Sequence, residues 1–346
     1  MKPIRVVQWG LGALGRSLVR LMTEKEGLRI IGAIESRKGF AGKDLGKVAE
    51  CGKNLQILVK DTHKGLLKKS DVDVVVHATT SFTREVIDEI QAIVEAGIHC
   101  ITLTEEMAYP ELSEPDIIKP IEALARKNRV TVLGAGFNPG FILDSQIIMM
   151  TACCHRVEKI EAERKINLLP LGESYFRTLG IGNTHLAFQV GLSQGTILKH
   201  IGFKESAYLI SHATGLEIDS MTETVKPVLA ETDRVIGKTS LKAGSVCAVS
   251  HSASASFQNK EIIRLSQLYY TDAADLKGDV ADKIRIHGYP DINMSIDPEI
   301  PANMGAVGIV VNMIPLVVKS SPGIKRVFDM PIPGCLMGET AYSRRS

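Results

Sequence analysis

The sequence predicts an α/β protein: a doubly wound parallel sheet followed by a second, α+β domain for substrate binding and dimerisation. Three observations lead there. Over residues 1–140 short apolar runs alternate with amphipathic helical stretches, the pattern of parallel strands joined by helical crossovers. A glycine triplet with G-x-G-x-x-G spacing lies between the first strand and the first helix. After "NPGF" the rhythm changes to longer runs that mix branched and charged residues, as antiparallel strands with one wet face do. The expected boundaries are 1–140 for the first domain and 141–302 for the second, with 303–346 packing back on the first.

Residues 4–9, "IRVVQW", read as a strand, and "GLGALGRSLVRLMTEKEG" follows. Leu14, Leu18, Leu21 and Met22 fall on one helical face. Gly10, Gly12 and Gly15 then have distinct tasks: a tight turn, close approach of backbone to a pyrophosphate, and close packing of helix on strand. Gly10, Leu11, Gly12, Ala13, Leu14 and Gly15 are therefore the expected phosphate-binding turn of a Rossmann-type nucleotide domain. The next strand, "LRIIGAIES", ends in Glu35, 20 residues after Gly15, where a carboxylate accepts hydrogen bonds from an adenosine ribose. Glu35 favours NAD. Ser36, Arg37 and Lys38 behind it are either a grip for the 2′-phosphate of NADP or a solvated turn. Use of both coenzymes is expected, with a lean to NAD.

"DVDVVVHATTS" is a strand entering a polar turn at Thr79, Thr80 and Ser81. "TREVIDEIQAIVEAG" has helical spacing with Gly97 as its stop; "IHCITLT" is a strand, "PDIIKPIEALARKN" a helix and "VTVLGAG" a strand. Ligands of such sheets bind beyond the carboxyl ends of the strands. Thr79, Thr80, Ser81, the adjacent carboxylates Glu105 and Glu106, and "GFNPG" at 136–140 should thus share one rim with the glycine turn. Two neighbouring carboxylates at a strand end either meet water or meet something cationic.

In the second domain "VEKIEAERKINL" is strand-like, and "PLGESYFRTLGIGNTHLAF" is a polar, glycine-rich segment. "VGLSQGTILKHIGF", "ESAYLISHATGL" and "TVKPVLA" read as helical in part. "SVCAVSHSASASFQNKEIIRLSQLYYT" and "ADKIRIHGYPDINMSID" alternate like antiparallel strands. The tail "PANMGAVGIVVNMIPLVVKSSPGIKRV" reads as a helix ending near Pro315 and Pro322.

A formal net charge of +2 without a long basic run points away from nucleic acid and anionic membranes. The apolar runs fall short of a bilayer span, and the chain enters a strand at once, leaving no signal-peptide core. Six cysteines without a C-x-x-C fit reduced thiols, so a cytoplasmic location is expected. Nine scattered histidines without paired spacing predict no metal. "VSHSASAS" lacks the elbow of a serine nucleophile and reads as a small-residue strand.

The combination "VVQWGLGALGR", "TLTEEMAYP", "GAGFNPGF", "LSQGTILKHIGF" and "PANMGAVGIVVNMIPLVVKSSPGI" resembles the 2,4-diaminopentanoate dehydrogenase family and the related native amine dehydrogenases, whose architecture is dihydrodipicolinate-reductase-like. The resemblance implies NAD(P)-dependent oxidative deamination at C4 of 2,4-diaminopentanoate to 2-amino-4-oxopentanoate and ammonia. In reverse it implies reductive amination of ketones. It also implies that a glutamate at this strand end holds the reacting nitrogen, a role that falls to Glu105 or Glu106. Related two-domain dehydrogenases favour the residue where the helix begins, Glu106. Capping of the next helix is the plainer role for either.

Asn138 carries over as a polar wall of the substrate pocket, or is only a turn residue. The substrate's α-carboxylate calls for a cation, and Arg164, Arg177 and His200 lie in suitable polar surroundings, with Asn167 near Arg164 as a further hydrogen-bond donor. Arg164 has a solvated strand face as its plainer reading, and His200 a structural hydrogen bond. The partners expected are a small amine or ketone, ammonia and a second copy of the chain. Two other functions are compatible with the fold: reduction of a cyclic imine or a homoserine-dehydrogenase-like alcohol oxidation, and coenzyme sensing without turnover. The first usually needs a Lys or His where this chain has carboxylates, and the second needs no base there.

Overall fold

A computed structural model describes residues 2–272, 280–337 and 343–344. The chain divides into two compact units, Met1–Ser145 with Asn303–Ser346, and Gln146–Ala302.

The first unit runs β1 (Lys2–Trp9), α1 (Ala13–Thr23), β2 (Leu28–Ile34), α2 (Leu45–Val48), β3 (Val59–Lys60), β4 (Val74–His77), α3 (Thr83–Glu95) and β5 (His99–Thr102). A single 3₁₀ turn, Glu105–Ala108, leads into α4 (Pro110–Ser113), α5 (Pro115–Asn128) and β6 (Thr131–Gly134). Its strands are apolar because both faces of a parallel sheet are covered: Val74, Val75 and Val76 are all fully buried. One core face gathers Val7, Val75, Ile90, Ile93, Cys100, Ile121 and Val132; a smaller cluster around Leu11, Val19, Leu45 and Val59 seals the other side of the nucleotide half.

In the second unit come α6 (Ser145–Thr151), β7 (Arg156–Asn167), α7 (Glu173–Thr178), α8 (His185–Ser193), α9 (Phe203–Thr214), β8 (Ser220–Leu229), β9 (Arg234–Ile236) and β10 (Thr239–Leu241). The long strands β11 (Val246–Phe257), β12 (Lys260–Tyr270), β13 (Asp282–Tyr289) and β14 (Ile292–Ile296) complete it. They form a six-stranded sheet, β14-β13-β7-β12-β11-β8, antiparallel except where β7 and β12 run parallel. The "VSHSASAS" run is the middle of β11, alternating buried His251, Ala253 and Ala255 with half-buried serines.

The chain then returns to the first unit through α10 (Ala302–Val317) and β15 (Gly323–Lys325). All seven strands β15-β6-β5-β4-β1-β2-β3 pair in parallel. A short β16 (Ser343–Arg344) adds antiparallel beside Lys2 and Pro3.

One expectation is corrected and another holds. "TVKPVLA" lies in strand β8, with Val225 and Pro227 opposite His251 and Val249; β8 is the sheet edge, where a proline's missing N–H costs no ladder bond. The helix α10 ends as expected between the two prolines, at Val317, with Pro315 in its last turn. Residues 338–342, 345 and 346, part of the tail expected on the first domain, lie outside the described residues.

Candidate active site

The glycine turn shows three separate constraints. Gly10 has φ +92°, and a Cβ there would lie 2.1 Å from the Ala78 carbonyl oxygen, so the turn abuts the end of β4. A Cβ on Gly15 would lie 2.0 Å from the Gly10 carbonyl oxygen, which makes the glycine a condition for seating α1 on β1. Gly12, by contrast, has open space where its Cβ would be. The N-terminus of α1 carries no side-chain cap and no acidic residue in its first turn. Its N–H groups and the helix dipole are thus available to an anion, and these residues fit a dinucleotide's pyrophosphate. Gly15→Ala should weaken coenzyme binding at least about tenfold, because a clash with backbone is relieved only by lifting the helix; titration of protein fluorescence with NADH checks this.

Glu35 is buried and receives Leu11 N–H at 2.8 Å, tying the second strand's end to the turn. Arg37 grips the same carboxylate in a fork, Nε to Oε1 at 3.0 Å and Nη2 to Oε2 at 2.7 Å, and stacks its guanidinium 4.8 Å from the Phe40 ring centre. Burial opposes ionisation of Glu35, but the bonds from the Arg37 side chain and from the Arg37 and Leu11 N–H groups outweigh it. The carboxyl is held below its usual range. Ser36 is exposed and lines a cavity of about 240 Å³ with Trp9, His63 and Asp88. Beyond Phe40 an open cleft of about 530 Å³ carries Arg16, Lys43 and Lys47.

At the end of β4 the threonine hydroxyls turn towards α3. Thr79 meets Glu89 at 3.1 Å and Thr80 meets Glu85 at 2.6 Å. The two adjacent carboxylates after β5 part company. Glu106 Oε2 accepts the Thr83 N–H at 2.7 Å, and its own N–H donates to the Ser81 carbonyl at 3.3 Å. It therefore caps α3, a helix that precedes it in sequence and that the sheet brings beside it; the expectation of a cap on the following helix is corrected for Glu106, while Glu105 accepts its own N–H at the head of the following turn. Glu105 is half-buried. Burial pushes its carboxyl up, bonds from the Ser81 hydroxyl and its own N–H pull the other way, the Glu106 charge adds to the rise, and the net is upward.

Asn138 is half-buried on the turn after β6. That turn is closed by Asp144, fully buried, whose Oδ2 accepts the Gly140 N–H at 2.7 Å, and by the Ser145 hydroxyl on the Gly140 carbonyl at 2.9 Å. Asp144 is not among the residues the sequence singles out; its signal is an Asp-Ser pair at the head of α6.

The cations of the second unit are unequal. Arg164 is 1% exposed and engaged, Nε to Asp282 Oδ1 at 3.0 Å and Nη2 to the Ile300 carbonyl at 2.8 Å. It is neither a solvated strand residue nor an open arm. His200 is pushed down to about 3, by burial first and then by His251 and Arg164, so it is neutral at working pH and offers hydrogen bonds, not charge. Its backbone N–H donates to His251 Nδ1 at 3.1 Å, which leaves Nε2–H of His251 to donate to Glu223 at 3.2 Å. Asn167 turns its Oδ1 to the Leu169 N–H at 2.9 Å, a local turn. Arg177 is exposed in the last turn of α7. Among the described residues no cluster of three metal-ligating side chains occurs, and no helix is long and apolar enough to cross a membrane.

The family model described as the 2,4-diaminopentanoate dehydrogenase C-terminal domain matches residues 141–346. The chain belongs to the 2,4-diaminopentanoate dehydrogenase family. Residues 4–104 match the dihydrodipicolinate reductase N-terminus. The 2,4-diaminopentanoate dehydrogenase of Acetoanaerobium sticklandii is 32% identical over 340 residues, 98% of this chain and 96% of that protein. An amine dehydrogenase of Streptomyces virginiae is 20% identical over 95% of this chain and 96% of its own length. Among solved structures, the amine dehydrogenase from Mycobacterium smegmatis superposes with a TM-score of 0.81 at 23% identity, covering 96% of this chain and 97% of that one, a likeness of fold. The chain is thus an oxidoreductase of the amine dehydrogenase kind with a Rossmann-type nucleotide domain, and its coenzyme is NAD or NADP.

Proposed function

We propose that the protein oxidises 2,4-diaminopentanoate at C4 to 2-amino-4-oxopentanoate and ammonia, reversibly, with Glu105 as the base. The observation that carries this is the division between the two half-buried carboxylates: Glu106 is committed to the Thr83 N–H, whereas Glu105 meets the Ser81 hydroxyl and its own N–H and has its carboxyl raised. This moves the choice from Glu106, the sequence preference, to its neighbour. A substrate amine arrives as ammonium, with a pKa near ~10.4 by analogy with lysine. Glu105 attracts that cation, takes one proton from it, and so gives nitrogen the lone pair that lets hydride leave C4. The bound coenzyme supplies the hydride acceptor. Once Glu105 has passed that proton to solvent, its carboxylate faces the cationic carbon–nitrogen double bond of the substrate and stabilises it. Water adds to that carbon and ammonia leaves, yielding the ketone.

Asn138 serves as a polar wall, held by the Asp144-closed turn. Arg177 remains the cation for the α-carboxylate, since Arg164 is paired to Asp282 and His200 is neutral. The deciding assay follows reduced-coenzyme absorbance with 2,4-diaminopentanoate at alkaline pH, NAD and NADP in separate cuvettes. Amine-dependent reduction supports the reading; silence with both, in protein that binds coenzyme, rejects this substrate.

Both coenzymes are accepted, with a lean to NAD. Glu35 serves the ribose of NAD, and a 2′-phosphate draws Arg37 off Glu35 towards the cleft of Arg16, Lys43 and Lys47. Arg37→Ala should raise KM for NADP about tenfold or more, the worth of a charge-assisted bond, and change KM for NAD much less. Equal effects in steady-state kinetics would make Arg37 only a strut for Glu35.

A further inference from the structure

Behind the Thr79–Ser81 turn lies a polar chain inside an otherwise apolar layer. His77, the last residue of β4, is fully buried after three buried valines and sets its ring edge-on to Trp9, 5.9 Å between centres. Its Nδ1 is 2.9 Å from Thr102 Oγ1, and its Nε2 is 2.7 Å from Glu89 Oε2 on α3. Thr102 donates to Thr104 Oγ1 at 2.9 Å, and Thr104 donates to the Thr80 carbonyl at 2.8 Å.

Counting protons fixes each direction from the Thr80 carbonyl back to His77 Nδ1. The Thr80 carbonyl only accepts, so the Thr104 hydroxyl proton lies there. Thr104 must then accept from Thr102, whose only proton is thereby committed. Thr102 Oγ1 also accepts the Thr104 N–H at 3.1 Å, so His77 Nδ1 must carry a proton and donate. On the far side Nε2 lies 2.7 Å from Glu89 Oε2, with the Thr79 hydroxyl 3.1 Å from each of the two atoms. No proton passes on towards the substrate, because the chain ends at a carbonyl. What it transmits is position.

We propose that His77 is a positioning residue: through its Nδ1–H it anchors a run of hydroxyls that fixes the Thr80–Ser81 backbone and, through the Ser81 hydroxyl, the Glu105 carboxylate. The proposal rests on the reading of Glu105 as the base. The fold alone gives this buried histidine no reason, since the three residues before it are valines and buried polar groups are retained only when fully satisfied. Its chain reaches the same short turn that both carboxylates use, Ser81 receiving the Glu106 N–H. A fraction of an ångström at that turn moves the base relative to the reacting nitrogen.

The test uses the full chain with coenzyme and amine. H77N keeps an amide N–H where Nδ1–H stood, whereas H77Q carries its amide out towards Nε2 and leaves Thr102 without its donor; T104V cuts the chain one link further on. H77N is expected to keep kcat within about threefold of wild type. H77Q and T104V should each lose about tenfold or more in kcat, with KM for coenzyme within about threefold, and the double variant should fall no further than the worse single one. Equal loss in H77N and H77Q, full kcat in T104V, or losses that multiply in the double variant would overturn the proposal. If H77Q does not fold, T104V alone decides the matter in the same way. E105Q separates the two readings: retained turnover there sinks the base assignment, while a dead E105Q beside a fully active T104V sinks only the role of His77.

Discussion

Glu105→Gln should lower kcat for amine oxidation by roughly 10²–10⁴-fold, the usual worth of a positioned base, with coenzyme affinity unchanged. Glutamine keeps the shape and cannot take the ammonium proton. The same substitution should raise the melting temperature at pH 8. The Glu105 carboxyl is raised in the folded chain above its ordinary 4.5, so the stability it contributes is fully present below that value and is lost as pH climbs through the folded one. Above that folded value the wild type holds an ionised, half-buried group that E105Q does not. In kcat/KM the acid limb should accordingly lie above the ordinary carboxylate range. Glu106→Gln is the control: it weakens a helix cap, at about 1 kcal/mol, and should leave turnover within about tenfold. Steady-state rates beside calorimetry decide. If E106Q is dead and E105Q active, the roles are exchanged; if both turn over, neither carboxylate is the base.

The second large effect concerns folding. Arg164→Met should cost about 3–5 kcal/mol of unfolding free energy, because it strands Asp282 in a buried place without its counter-charge. Burial already pushes the Asp282 carboxyl up, against the pull of Arg164, and the net is upward. Arg164→Met with Asp282→Leu should recover most of the loss, since the penalty of an unpaired charge disappears with the charge. Urea unfolding measures both. A single variant that stays stable but raises KM for the diamino acid would instead restore Arg164 as a substrate arm.

Much of the nucleotide half is legible in the sequence because its constraints are local. Gly10 and Gly12 stand between β1 and α1, Gly15 lies in the first turn of α1, and Glu35 follows the next strand's end, all within one crossover. Glu105 and Glu106 are legible as a pair and illegible as individuals. What separates them is the Thr83 N–H, 23 positions away in sequence, which only the pairing of β4 with β5 brings near. Arg164 and His200 show a different failure. Residue type suggests a cation, but an Asp 118 positions away and the absence of solvent decide whether one is available. In "TVKPVLA" a proline argues against a strand because its edge position is a property of the whole sheet. Pro315 and Pro322 do bracket the end of α10 at Val317, a local signal that agrees with the packing, since Val310, Ile314 and Val317 are all fully buried. His77 hides within a valine run that looks like ordinary core.

The strand β15 shows how the order of synthesis bears on this architecture. Its three residues pair with Thr131, Val132 and Leu133, and the Glu122 carboxylate receives the Ile324 N–H. Until residue 325 has left the ribosome, β6 is an open edge, and the whole second unit is translated while it waits. A nascent chain halted near residue 300 would therefore expose a raw sheet border of the kind that templates aggregation. The finished chain replaces that border with a strand too short to recruit another.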